Sequence, residues 1–420
     1  MNQQIISLLQ ELNIENYLIS TEVDSSAELF FVKKNLDMRR MKDVTKSLVT
    51  VYRDFEEDGQ KFRGSSEALL TPAMEAEEKK AALQMAYDSA AFVKNPWYPL
   101  YQPKEKPVIE KRQIPELSDA CAKMAAAIFE ADNDPEAFLN SVELFAEKKA
   151  VSVTSSAGTD ASYEKFTIKG EYVTQCKAPK DVEQYYSFEY DDVECDQIRE
   201  KVRESLRTVR DRARASKMPK SGNYDVVLSG DHVKTILNLY LFKSNAAFVY
   251  PGYSKWKAGE KVQGEEISGE AMNIDLIPTE PVSADGVPMT ERPFLRDGVL
   301  QTIQGANRFC QYLGIEPTGQ YRKIRVDNGT VPFEEMKKGC LYPVSFSDFQ
   351  MNPLTGYFGG EIRLAYLPTD DGIEILTGGS VNGSFIERQA DVVFSTERYV
   401  SASYDGPKAI RIRNVAVAGE

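Results

Sequence analysis

The chain holds one histidine in 420 residues, His232, and it stands where catalytic groups are often mounted. The stretch "VVLSGDHVKTILNLYL", residues 226–241, reads as a strand, a tight turn and the start of a helix. A hydrolytic zinc needs two neutral imidazoles or their equivalent, a further protein ligand, and an open position for water; a glutamate then serves as general base. One imidazole cannot supply that set. A zinc site here would have to combine His232 with carboxylates and distant cysteines. A Ser-His-Asp arrangement could use only His232, and nothing in the sequence brings a serine to it. The simpler reading is a polar residue in the first turn of a helix, beside Ser229 and Asp231 as capping candidates.

A second segment carries binding rather than catalytic chemistry. In "FQMNPLTGYFGGE", Asn352 and Thr355 suit turn hydrogen bonds. Gly356, Gly359 and Gly360 allow close backbone approach, and Tyr357 and Phe358 offer apolar contact. The segment reads equally as a binding surface and as a β-hairpin corner. Trp97, Tyr98 and Tyr101 in "NPWYPLYQP" could dock a partner, but a connector pinned to its own core is the expected arrangement. Asp and Glu cluster in "EYDDVECD" without the spacing or glycine of a calcium loop. They suit the positive end of the helix that follows.

Composition narrows the classes. The formal charge is −13, from 51 Lys and Arg against 64 Asp and Glu, which disfavours nucleic acid and anionic membrane as partners. Nine basic residues between Arg199 and Lys220 lack aromatic interleaving, so they read as the solvated face of an amphipathic helix with i,i+4 pairs. The cysteines, Cys121, Cys176, Cys195, Cys310 and Cys340, are odd in number and widely spaced, the pattern of a reduced compartment. No run of about 18 apolar residues is present and the first residues lack a signal-peptide pattern. A cytoplasmic protein is expected. G-x-G-x-x-G, G-x-x-x-x-G-K-[ST] and G-x-S-x-G are all missing.

The elements around these segments predict an α+β protein. Ile5, Leu8, Leu9 and Leu12 begin an amphipathic helix. Four β-rich runs follow over 15–70, the last two joined by a turn at "EEDGQ". A helix is expected after residue 70, capped by Thr71 with Pro72 in its first turn. A Pro-rich connector fills 94–115. A helix at about 116–131 and strands over 138–177 come next. A long helix follows from "EYDD", with Ile198, Val202, Leu206, Val209 and Ala213 inward. The N-terminal domain, residues 1–216, is therefore read as helices on a largely antiparallel sheet. Residues 217–420 are read as a β-rich barrel or sandwich. In the closing strand, "KAIRIRNVAVAG", the apolar parity changes after Ile412, which predicts a β-bulge near Asn414.

Several stretches of the second half, taken in order, resemble the TldD/PmbA family. They are "KMPKSGNYDVVLSG", "ADGVPMTERPFLRDGVLQTIQGANRFCQYLG", "MNPLTGYFGG" and "IRNVAVAG". One branch of that family resembles a zinc peptidase with H-E-x-x-x-H just after the V-V-L strand and a late cysteine. Its two histidines lie about 140° apart on a straight helix, so they converge only if the helix is distorted, as by a π-bulge. The other branch, PmbA- or TldE-like, lacks these residues and acts as the partner subunit. Here "HVKTIL" has Val233 at the base position and Leu237 at the second ligand position, and "SASYDGPKAIRIR" has no cysteine. The resemblance therefore implies a subunit without catalytic residues, zinc or other cofactor. It would pair with a TldD-like metallopeptidase and help bind unfolded or extended peptide, and the 352–360 segment would lie by the cleft. The family's older label, modulator of DNA gyrase, implies a phenotype, and no site here supports gyrase contact. Two alternatives stay open: a stand-alone homo-oligomeric binding protein, and a peptidase with an unrecognised metal site.

Overall fold

The computed structural model describes residues 2–107, 109 and 112–420, and its fold is α+β. Helix α1, Asn2–Glu11, opens the chain, with Ile5, Leu8 and Leu9 buried. Strands β1 (Asn16–Val32), β2 (Asn35–Glu57) and β3 (Gln60–Leu70) form the expected meander. The turn at "EEDGQ" is present, with Asp58 and Gly59 at positive φ, as a two-residue hairpin turn requires. The first two expected strands are one. Asp24, Ser25 and Ser26 look like a break but lie within β1, paired on both sides to β2 and to β4, Ala137–Ser155.

Helices α2 (Ala76–Ala90) and α3 (Leu117–Ala131) precede β4. Strands β5 (Asp160–Cys176) and β6 (Val182–Tyr190) and helix α4 (Cys195–Arg214) follow it. All six strands make one antiparallel sheet in the order β3-β2-β1-β4-β5-β6. Helices α1 and α2 bury Ile19, Val49 and Leu83 at one end of it. Helices α3 and α4 bury Ala27, Leu144 and Val202 at the other. Three sequence expectations need correction. Helix α2 starts later than Thr71, capped by Glu75 in a reciprocal capping box with Glu78, which satisfies two free N–H groups at once. Strand β6 was not expected. Helix α4 begins only at Cys195, because Glu189 and Tyr190 belong to β6.

The second half starts with β7 (Gly222–Ser229), α5 (Asp231–Lys243) and the short α6 (Ala246–Val249). Next are β8 (Ile274–Ile277), β9 (Arg292–Arg296), β10 (Val299–Leu300), α7 (Asn307–Leu313), β11 (Lys323–Val326) and α8 (Phe333–Met336). The long hairpin of β12 (Tyr342–Met351) and β13 (Tyr357–Thr369) is followed by β14 (Gly372–Leu376) and β15 (Ser380–Ser384). The chain closes with α9 (Phe385–Arg388), β16 (Val393–Phe394), β17 (Arg398–Ser401), β18 (Tyr404–Pro407) and β19 (Ala409–Ala418). One sheet runs β10-β9-β8-β11-β18-β17, and the other runs β12-β13-β15-β19-β16 with β7 paired to β19. The strands form a half-barrel around a core that includes Leu228, Leu237, Phe294, Ile362 and Ile412. The β19–β7 register slips between Ile412 and Val415, with Asn414 at φ 52°. That is the predicted bulge, and it keeps Ile410, Ile412, Val415 and Val417 all buried.

Candidate functional site

The two halves meet along α4, and His232 lines a cleft there with residues of both halves, whereas none of Asn352–Gly360 lines it. Two hollows of ≈710 Å³ and ≈760 Å³ share Glu200, Glu204, Tyr342 and Lys408 in their walls. A third, ≈400 Å³, adjoins them through Tyr190, Lys201, Asp231 and Tyr399. The sequence singled out neither Lys201 nor Lys408 for this role, since they sit more than 200 residues apart.

His232 lies on the wall of this cleft, in the first turn of α5. Gly230 is the N-cap, at φ 60°, and no side chain caps the helix, so neither Ser229 nor Asp231 plays the expected capping part. The imidazole packs edge-on against Phe346 and Phe349 of β12, with ring centroids 4.9 Å and 5.0 Å away. Burial among these rings holds His232 below its ordinary pKa of 6.5, against the opposing pull of Asp231 and the Ser229 carbonyl. Neutral histidine therefore suits this place, but two phenyl rings occupy the surroundings that other ligands would need. The next positions on the helix are closed as well. Val233 and Leu237 are both 0% exposed in the core. Among the described residues, no group of three or more His, Cys, Asp and Glu could hold a metal ion.

Several polar groups of the cleft are matched internally, while the buried Tyr186 hydroxyl and Ser401 Oγ have no partner among the described residues. Lys408 Nζ donates to Glu204 at 2.8 Å and Glu200 at 3.4 Å. Burial lowers its pKa, but Glu204 and Glu200 outweigh that and keep the amine charged. Lys201 donates to the Ser187 carbonyl at 2.8 Å, and its Nζ is 3.8 Å from Asp231. Burial pulls its pKa down, with Asp231 opposing. Tyr399 donates to Asp231 at 3.0 Å. Tyr342 and Ser229 share a hydrogen bond of 2.9 Å, and burial raises the Tyr342 hydroxyl to about 12 despite that bond. A phenol so held is no base near neutral pH. The i,i+4 pairs expected along α4 give way to pairs with other elements: Arg199 with Glu130, Arg210 with Asp134, and Arg214 with Glu136.

The 352–360 segment is the tip of the β12–β13 hairpin and the start of β13. Asn352 Oδ1 accepts from the Leu354 and Thr355 amides, and Thr355 Oγ1 accepts from the Tyr357 amide. Gly356, at φ 78°, would drive a Cβ to 2.6 Å from Ile386. Phe358 is buried and its ring lies tilted against Phe349, centroids 6.1 Å apart. A Cβ on Gly359 would meet Asn382 Oδ1 at 2.8 Å. One on Gly360 would meet Phe346 at 2.7 Å and the Asp348 carbonyl at 2.8 Å. Gly360 thus makes room for the ring that boxes His232. Leu354 and Tyr357 remain exposed at the tip. The aromatic connector is pinned as expected: Trp97 Nε1 donates to Asp54, Tyr98 is buried, and Tyr312 donates to the Pro96 carbonyl at 2.6 Å.

Residues 221–419 match the family model described as PmbA/TldA metallopeptidase C-terminal domain. That segment is a TldD/PmbA-type C-terminal domain. Three solved structures share the fold of this chain across its length, each at 16% identity. TldE from Thermococcus kodakarensis has a TM-score of 0.79 and covers 99% of this chain and 100% of its own. A candidate modulator of DNA gyrase from Thermotoga maritima has a TM-score of 0.78 with 99% of each chain covered. Another, from Bacteroides thetaiotaomicron, has a TM-score of 0.76 and covers 100% of this chain and 99% of its own. No curated protein matches this sequence. Among the described residues, no helix is long and apolar enough to cross a membrane.

Proposed function

We propose that this chain is a non-catalytic, TldE-like subunit that pairs with a TldD-like zinc metallopeptidase and helps it hold unfolded or extended peptide. One observation carries the reading. The helix turn that would carry a zinc-peptidase motif holds a lone imidazole boxed by Phe346 and Phe349, with core residues Val233 and Leu237 behind it. Zinc with an open water position needs three protein ligands, and these residues do not fit it. The part left to this chain is shape: a cleft between its two units, with the boundary placed after residue 216, and an exposed hairpin tip at Leu354 and Tyr357. Peptide can add to such a β-rich surface by main-chain hydrogen bonds.

The test mixes the purified chain with a TldD-like peptidase and follows cleavage of an unstructured peptide. The reading expects no cleavage by this chain alone, co-elution of the two, and faster cleavage by the mixture. It also expects His232→Ala to leave the mixture's rate unchanged. Cleavage by this chain alone, abolished by His232→Ala, would contradict it.

A further inference from the structure

A hollow of ≈350 Å³ lies apart from the His232 cleft and shares no lining residue with it. Its walls come from β1, β2 and β3, from the aromatic connector, and from the first residues of α7, so it joins the first sheet to the second half. Four charged side chains on these walls make no ion pair with any described residue: Glu67, Asp285, Arg308 and Arg322. Asp285 and Arg308 are half-buried, while Glu67 and Arg322 are exposed.

Neutral groups hold the half-buried two in place. Asp285 accepts from the Ser283 hydroxyl and the Asn307 amide. Arg308 donates to Asn95 Oδ1 at 2.9 Å and lies over the Phe309 ring, 4.5 Å from its centroid. A half-buried charge has lost part of its hydration and is costly unless an opposite charge answers it. Here both signs line one hollow without answering each other. The wall between them is aromatic. Tyr98 is 6% exposed and Tyr52 is half-buried, and neither hydroxyl bonds to a described residue. Burial raises the pKa of both, so they stay neutral and able to donate.

These walls select the charge of a ligand. An anion alone would meet Asp285 and Glu67 as like charges, and a cation alone would meet Arg308 and Arg322. A molecule carrying both signs answers all four. We propose that this hollow binds a free α-amino acid with an apolar or aromatic side chain. Its carboxylate takes the guanidinium fork of Arg308, with Arg322 adding charge. Its ammonium faces Asp285 and Glu67, and its side chain packs on the tyrosine rings. A hollow of this size, with a few convergent polar groups on aromatic walls, has the usual form of a small-molecule site. This inference does not depend on the proposed function.

Titration calorimetry of the full chain with L-phenylalanine, L-tyrosine and L-leucine tests it. At least one is expected to bind, one molecule per chain. For the tightest, the amine lacking the carboxylate and the acid lacking the ammonium should each bind about tenfold more weakly or worse. Asp285→Asn should weaken the amino acid by about tenfold and leave the acid analogue unchanged. Arg308→Gln should weaken the amino acid similarly and leave the amine analogue unchanged. This crossed pattern separates a lost charge contact from a damaged hollow, and equal melting temperatures show that each variant is folded. Binding by none of the three amino acids, an amine or acid that binds as tightly, or a variant that weakens all ligands alike would each overturn the proposal.

Discussion

Around His232 the chain encloses its apolar side chains, while along the outer stretch of β2 it leaves them in water. The contrast lies in how polar groups are matched. In the cleft, Lys408 has Glu204, Lys201 has the Ser187 carbonyl, and Tyr342 has Ser229. The hydrophobic box is closed by rings from β12. On β2, Arg40 and Lys46 are matched by Glu28 and Glu22, but Lys42, the backbone edge and its methionines are not. A region complete within one chain should resist substitution by losing stability. A region left in water should tolerate substitution with little loss of stability.

The largest expected effect breaks the enclosed region. Leu237→His supplies the second imidazole at the sequence position of a zinc motif, but at a site with no exposure. It should cost about 3 kcal/mol or more, from lost packing and an unpaired buried polar group, without creating zinc affinity. Urea unfolding with and without zinc measures both; a stabilising effect of zinc would count against the account. Next comes Gly360→Ala, whose new methyl falls 2.7 Å from Phe346 and 2.8 Å from the Asp348 carbonyl. Overpacking of this kind costs about 1–3 kcal/mol, read as a lower urea midpoint; an unchanged midpoint would mean that the box is loose.

The third effect is smaller and depends on pH. Burial lowers the pKa of folded His232 below the 6.5 of the free side chain. Between the two values the unfolded chain binds the proton and the folded chain does not, so unfolding gains with acid. The stability from neutral His232 is complete above about pH 6.5 and declines as pH falls below it. His232→Phe should flatten that part of the stability profile, and an unaltered profile would mean that the imidazole is solvated. Smallest of all, Met41→Ser on the exposed strand should change monomer stability by no more than about 0.5 kcal/mol, measured by the same unfolding assay.

The contrast also marks what the sequence could show. The bulge at Asn414 was legible because apolar parity changes within one strand, and the inward face of α4 because Ile198, Val202, Leu206 and Val209 keep a helical period. The unity of β1 was hidden by Asp24, Ser25 and Ser26, polar residues held in register by strands on either side. The lone histidine was visible at once, and so was the lack of a second. Its aromatic box was not, because Phe346 and Phe349 come from more than 100 residues away and no local spacing announces them. Lys201 reads as a surface charge and Lys408 gives no signal for the same reason: the cleft that joins them exists only once the two halves are packed.

Metal content tests the central claim most directly. The chain is loaded with zinc, washed free of loose metal, and assayed for bound zinc per chain beside His232→Ala. The account predicts no stoichiometric zinc in either protein. One zinc per chain in the wild type, absent from His232→Ala, would contradict it.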